Sequence, residues 1–282
     1  MRFPLLLFCL LGCCCCSSNY RSDGSLNRKI VLMAGGAFNP ITPLHLRLFE
    51  IARDDFRERA EYEVIGGIIS PVHDSYGKPE LALGKHRCAM VNISLQTSDW
   101  IRLSDWECNE QSDWTRTRIS LQYHQNYLNS MLSDDTTNGF SGTTPSWLPP
   151  NIYEYKGDKV EVKLLCGADL LESFATPNLW SDEDVEAILV EHGIVVISRS
   201  ESFPEKFIFQ SDFLTKYKHR IDIITNWVPN EVSSTLARRY LRRGLSVKYM
   251  LDDNVVEYIR HHKLYGVENG SDSTTNDTTI SS

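Results

Sequence analysis

Five largely apolar runs stand out along the chain, at residues 30–34, 62–70, 160–166, 193–198 and 221–225. Short runs without strict polar alternation predict strands buried on both faces. Between and after them the spacing changes. Over residues 43–59 the apolar side chains Leu44, Leu48, Ile51 and Ala52 recur at helical intervals, and helices are also predicted over 85–96, 181–191, 234–243 and 255–262. Alternating strands and helices imply an α/β protein with a Rossmann-like, doubly wound, mostly parallel sheet and helices on both faces. Ligands of such sheets gather at the carboxyl ends of the strands, near the point where strand order reverses.

The pattern also marks boundaries. Residues 29–265 read as one domain, preceded by a hydrophobic, Cys-rich segment and linker at 1–28 and followed by a polar tail at 266–282 expected to be disordered. Residues 130–158 are rich in Ser, Thr, Asp, Gly and Pro and predict a disordered insertion. At the N-terminus Arg2 precedes an apolar run at 3–11, then Gly12 and the adjacent Cys13, Cys14, Cys15 and Cys16. Three readings stay open for it: a secretory signal peptide, a cysteine cluster carrying reversible acyl chains for peripheral membrane attachment, or a plain terminus. The run is too short to span a bilayer.

Composition narrows the function classes. Hydrophobic residues at 41% and charged residues at 23% of 282 suit an ordinary globular core. A formal net charge of −8 argues against a nucleic-acid binder. It leaves anionic small ligands open, because a pocket needs only a few local cations and N–H groups. The eight cysteines show no recurring CxxC spacing, so neither a zinc site nor a disulfide framework is expected, and the domain reads as intracellular and reduced. Residues 130–158 carry no Lys/Arg cluster, which disfavours nuclear import.

Two segments carry candidate chemistry. The first, Gly35-Gly36-Ala37-Phe38-Asn39-Pro40-Ile41-Thr42-Pro43-Leu44-His45, runs from a strand end into the first turn of a helix. Thr42 suits the N-cap and Pro43 the first helical position. His45 then lies beside the exposed N–H groups and positive dipole end of the helix, a geometry suited to phosphate, with glycines upstream permitting close backbone approach. The bland alternative is a plain strand–turn–helix with a satisfied histidine. Neither a Walker loop nor a GxGxxG fingerprint is present. The second segment, Asn230-Glu231-Val232-Ser233-Ser234-Thr235-Leu236-Ala237-Arg238-Arg239, offers another capped helix start with Arg238 one turn in. Arg242 and Arg243 read as a solvated basic face.

These two elements, with Gly67-Ile68-Ile69-Ser70-Pro71-Val72, the block 163–174 from Lys163 through Cys166-Gly167-Ala168-Asp169 to Phe174, and Pro177-Asn178-Leu179-Trp180, resemble the eukaryotic nicotinamide/nicotinic acid mononucleotide adenylyltransferases of the nucleotidyltransferase superfamily. The resemblance spans roughly residues 29–265 apart from the insertion. It implies adenylyl transfer from ATP to nicotinamide mononucleotide, and to its nicotinic acid counterpart, forming NAD or its deamido form and pyrophosphate. His45 and Arg238 would be catalytic. Gly36, Ala37, His45, Gly167, Asp169, Ser234, Thr235 and Arg238 would bind ATP. Lys78, Trp114, Thr117, Leu179, Trp180 and Arg199 would bind the mononucleotide. Magnesium would be held through substrate phosphates and not by protein side chains.

Departures from the family pattern bear on these roles. Ala37 stands where the family usually has serine, and Lys78 is followed by Pro79 and Glu80 where the family is more basic. The competing expectations are a catalytically weak, chaperone-like protein of the same fold, supported only by Ala37, and a nucleotidyltransferase for another phosphorylated substrate. The expected placement is intracellular, cytoplasmic or membrane-associated at the Golgi or elsewhere through the N-terminus. Secretion would separate the enzyme from cellular ATP and is disfavoured. Oligomeric state stays open, a homo-oligomer included.

Overall fold

The computed structural model describes residues 28–133, 144–199, 202–228 and 230–267. In chain order it runs β1 (Arg28–Gly36), α1 (Pro43–Arg59), β2 (Tyr62–Pro71), α2 (Gly84–Ser94), β3 (Ile101–Leu103), α3 (Thr117–Leu132), β4 (Val160–Gly167), α4 (Ala168–Ser173), α5 (Asp182–Ala187), β5 (Ile194–Arg199), α6 (Pro204–Phe209), α7 (Asp212–Lys216), β6 (Ile221–Asn226), α8 (Ser234–Arg242) and α9 (Asp253–His261). The six strands form one parallel sheet in the order β3-β2-β1-β4-β5-β6. This is the doubly wound arrangement, and its order reverses between β1 and β4.

Period-two alternation explains why both faces are covered. Ile30, Leu32 and Ala34 of β1 enter the core beneath α1, α8 and α9, where Phe49, Phe56, Ala237, Leu241, Val255 and Ile259 pack. Val31 and Met33 point the other way, into a second core with Leu121 and Leu128 of α3, Leu171 of α4 and Val185 of α5. On the first face Phe49 lies so close to β2 that a Cβ on Gly67 would meet its ring at 2.9 Å. Only glycine fits there without a shift.

Two expectations change. The helix expected over 181–191 is α5 followed by a π-helical turn at Ile188–His192. The expected disordered insertion is corrected at its flanks. Residues 130–132 complete α3, and Trp147, Leu148 and Ile152 are buried in the second core. Pro149 packs on β2, 2.6 Å from where a Cβ on Gly66 would stand. Their apolar content, submerged in Ser, Thr and Pro, shows no period because it enters the core at a few positions only. The middle of that insertion, 134–143, lies outside the described residues, as do Cys13 to Cys16 with the rest of 1–27, and the tail from 268. Among the described residues, no helix is long and apolar enough to cross a membrane.

Candidate active site

The reversal point sets two strand ends side by side. Met33 pairs with Leu164, and three residues further along each strand stand Gly36 and Gly167. A Cβ on Gly35 or on Gly167 would meet nothing within 4 Å, so the backbone there faces open space that a ligand can approach. Asp169 is exposed in the first turn of α4 beside Gly167. Arg199 ends β5 on the same edge.

His45 sits in the first turn of α1. Thr42, the N-cap, has extended backbone, and its N–H donates to His45 Nδ1 at 2.9 Å, with the Thr42 hydroxyl 2.8 Å from the same nitrogen. The imidazole thus takes the place of the carboxylate in a capping box. Because Nδ1 accepts, the ring proton resides on Nε2, which is left to donate. Burial, reinforced by the charge of Lys78, pushes the imidazole down to about 4. The neutral ring is therefore a hydrogen-bond donor at neutral pH and not a fixed cation. Phe38 steadies it edge-on at 5.2 Å.

The second helix start meets the first directly. Ser234 Oγ donates to the Pro40 carbonyl at 2.7 Å, and Arg238 Nη1 donates to the Asn39 carbonyl at 2.8 Å. Ser233 is the N-cap, accepting from Leu236 N–H at 3.2 Å. Ser234 thus ties the two helix entries together, while Thr235 is exposed in the first turn of α8. Arg238 is buried at 6% exposure, yet its Nε has no hydrogen-bond partner; the nearest acidic atom is Glu80 Oε2 at 3.6 Å. A buried guanidinium N–H left unmatched is costly unless an acceptor arrives, and a phosphate oxygen is such an acceptor.

The aromatic residues sit on two further segments. Trp114 is exposed at 43%, its backbone N–H donating to Ser75 Oγ at 2.8 Å and its ring 6.0 Å from Tyr76. Thr117 opens α3. Trp180 is half-buried, with its indole N–H on Ser173 Oγ at 3.0 Å and Phe174 packed edge-on, and Leu179 before it is exposed. Arg116 and Arg118 join the two segments through Asp184, at 3.0 and 2.8 Å. Burial pushes the Asp184 carboxyl up, but hydrogen bonds from Arg118 and Ser181 and the Arg116 charge outweigh it and hold it below its ordinary value.

Three residues escape sequence reasoning. Arg87 is fully buried and donates to the carbonyls of Ala82 at 2.8 Å, Ala37 at 3.1 Å and Val72 at 2.6 Å, and to Asp74 at 2.8 Å. It bolts the turn between β1 and α1 to the end of β2. Glu107, 3% exposed, accepts from His73 N–H at 3.3 Å, and burial pushes its carboxyl up to about 7. Asn39 holds the Glu80 carbonyl at 2.8 Å and the Ala82 N–H at 3.1 Å, and receives the Tyr265 hydroxyl at 2.8 Å. None carries a local signal, since each has partners 34 or more residues away along the chain.

Comparison with known proteins places this arrangement among relatives. The cytidylyltransferase-like family model matches residues 33–240. A nicotinamide-nucleotide adenylyltransferase of Drosophila melanogaster is 55% identical over 244 residues, covering 86% of this chain and 62% of that protein. The chain thus spans under two thirds of the Drosophila protein's length. Nicotinamide/nicotinic acid mononucleotide adenylyltransferase 1 of Bos taurus is 41% identical, covering 87% of this chain and 92% of its own, and the Arabidopsis thaliana protein of that activity is 38% identical at 88% and 94%.

Proposed function

Because the chain belongs to the nicotinamide/nicotinic acid mononucleotide adenylyltransferase family, we propose that it transfers the adenylyl group of ATP to nicotinamide mononucleotide, and to the nicotinic acid form, releasing pyrophosphate. The observation that carries this reading is the direct bonding of α8 to the entry of α1, which brings Arg238 to the turn that leads into His45. In this mechanism the mononucleotide 5′-phosphate attacks the α-phosphorus in line. One P–O bond forms as the bond to the leaving pyrophosphate breaks. The nucleophile is already an anion, so no general base is needed. Catalysis is positioning and charge stabilisation by pre-oriented donors.

His45 Nε2–H and Arg238 Nε–H are the side-chain donors for the triphosphate, with the backbone N–H groups of Ser234 and Thr235 at the α8 start for the β- and γ-phosphates, since the Ser234 hydroxyl already donates to the Pro40 carbonyl. Gly36 and Ala37 contribute backbone, so the missing serine hydroxyl at Ala37 does not remove the N–H. Gly167 and Asp169 hold the adenosine ribose. Lys78 and Arg199 serve the mononucleotide phosphate side, and Trp114, Thr117, Leu179 and Trp180 enclose the nicotinamide ring, whose positive charge suits indole faces. Among the described residues, no cluster of His, Cys, Asp or Glu is arranged to hold a metal. The donors at the phosphate end are N–H groups, which suit phosphate oxygens. Magnesium would enter on the triphosphate and neutralise part of its charge.

Purified protein given ATP, magnesium and either mononucleotide is expected to form the dinucleotide and pyrophosphate in equal amounts, separable by chromatography. Phosphopantetheine and phosphocholine are expected to give no product. Absence of NAD formation by wild-type protein, or near-normal rates in both His45→Ala and Arg238→Ala, overturns the reading. For placement, we propose a cytoplasmic protein held at membranes by acylation of Cys13 to Cys16. The full-length chain with all four changed to serine is then expected to leave the membrane fraction.

A further inference from the structure

Glu80 lies in the loop between β2 and α2 with φ +59°, in the left-handed region that favours glycine. A long charged side chain at such a position stands against local preference. It reaches straight to Arg238 and Arg242. Oε1 pairs with Arg242 Nη1, and Oε2 lies 3.6 Å from Arg238 Nε, the buried donor that has no hydrogen-bond partner. Its backbone is pinned, since the Glu80 carbonyl accepts from Asn39 Nδ2 at 2.8 Å. The side chain itself is half exposed and can swing into solvent. The hydrogen bond and charge of Arg242, then Arg238, hold its carboxyl below the ordinary range. Arg238 does not depend on Glu80 for its orientation, because Nη1 is fixed on the Asn39 carbonyl.

We infer that Glu80 sets the affinity for the ATP polyphosphate: its carboxylate, paired with Arg242, is a built-in counter-anion on Arg238 that the incoming polyphosphate must displace. This rests on the reading of Arg238 as a polyphosphate donor. The free enzyme then keeps its two arginines paired, and a weakly charged anion gains little by displacing the carboxylate. A triphosphate or pyrophosphate supplies several oxygens and outcompetes it. Glu80 thereby sets the affinity for both the ATP substrate and the pyrophosphate product, leaving the nicotinamide side untouched.

The test is steady-state kinetics at saturating mononucleotide for wild type, Glu80→Gln and Glu80→Gly, with Arg238→Ala as the control. Glutamine keeps the shape and removes the charge; glycine removes the side chain and relaxes the positive φ. Both are expected to lower KM for ATP and the inhibition constant of pyrophosphate by about two- to five-fold, the range of a solvent-screened ion pair. KM for nicotinamide mononucleotide should stay within about two-fold, and raising salt should shrink the effect. The inference is overturned if both variants, folded by thermal unfolding, keep or raise KM for ATP while Arg238→Ala loses activity. If Arg238→Ala is itself near normal, the underlying assignment of Arg238 fails, and this inference with it.

Discussion

Replacing Arg87 with leucine removes the donor shared by four acceptors, the carbonyls of Ala37, Val72 and Ala82 and the Asp74 carboxylate, of which Val72 keeps Cys108 Sγ and Asp74 keeps the Gly84 N–H. Hydrogen bonds from a charged group contribute about 1.5–3 kcal/mol each. Their simple sum overstates the loss, because the variant no longer buries a guanidinium. Asp74 is 42% exposed and keeps the Gly84 N–H, so the loss falls on the buried carbonyls, at about 1–3 kcal/mol for each left unmet and about 3–5 kcal/mol in all. At about 2–4 °C per kcal/mol for a domain of this size, the midpoint of thermal unfolding should fall by about 6–20 °C. Function should suffer separately. Ala37 and Val72 border the turn proposed to hold the triphosphate, so at a temperature where the variant is still folded KM for ATP should rise more than KM for the mononucleotide. Circular dichroism melts and initial rates read the two effects. A midpoint within about 2 °C of wild type, with unchanged KM for ATP, would refute the claim that Arg87 bolts this turn.

Three further outcomes are expected. His45→Ala should cost about 10² in turnover, as loss of a preorganised donor does, whereas His45→Gln, whose amide nitrogen falls near Nε2, should retain measurably more in initial-rate assays. His124 is fully buried, donating from Nδ1 to the Ser120 carbonyl and accepting from Ser104 at Nε2, and burial pushes it down to about 4. Its folded value lies below the unfolded one, so the unfolded chain binds more protons and this contribution is lost as pH falls from 6.5 through 4. Between pH 7 and 5, the stability of wild type relative to His124→Gln should fall by about 2 kcal/mol in denaturant titrations, and a constant difference would contradict it. Trp180→Ala should raise KM for the mononucleotide by about tenfold while leaving KM for ATP within twofold; equal effects on both would place Trp180 in packing alone.

The sheet was readable because buried parallel strands are apolar throughout and the amphipathic helices between them keep their period, so β1, α1, β2, β4, β5, β6, α8 and α9 fall where the pattern puts them. Strand β3 has three residues and α4, α6 and α7 five or six, too short for any period to show. Helix α3 was missed for another reason. Gln122, Gln125, Asn126 and Asn129 line one side of it, and Gln125 and Asn129 bond the backbone of β4 at Val160 and Val162 instead of facing water. A polar helix face that caps a strand looks like a surface loop when read alone.

The chain by itself determined the two helix starts, because an N-cap, a proline at the first position and a histidine or arginine one turn in are local matters of backbone sterics and orphan N–H groups. It also determined the class of ligand those groups suit. Only the folded structure decided that the starts touch, through Ser234 on Pro40 and Arg238 on Asn39, nearly two hundred residues apart. Only it showed that Arg87 is a bolt and that Glu80 sits on Arg238 and Arg242. Hydrogen bonds and ion pairs of that kind depend on distances of about 3 Å, and distance between remote segments is set by packing of the sheet and its helices.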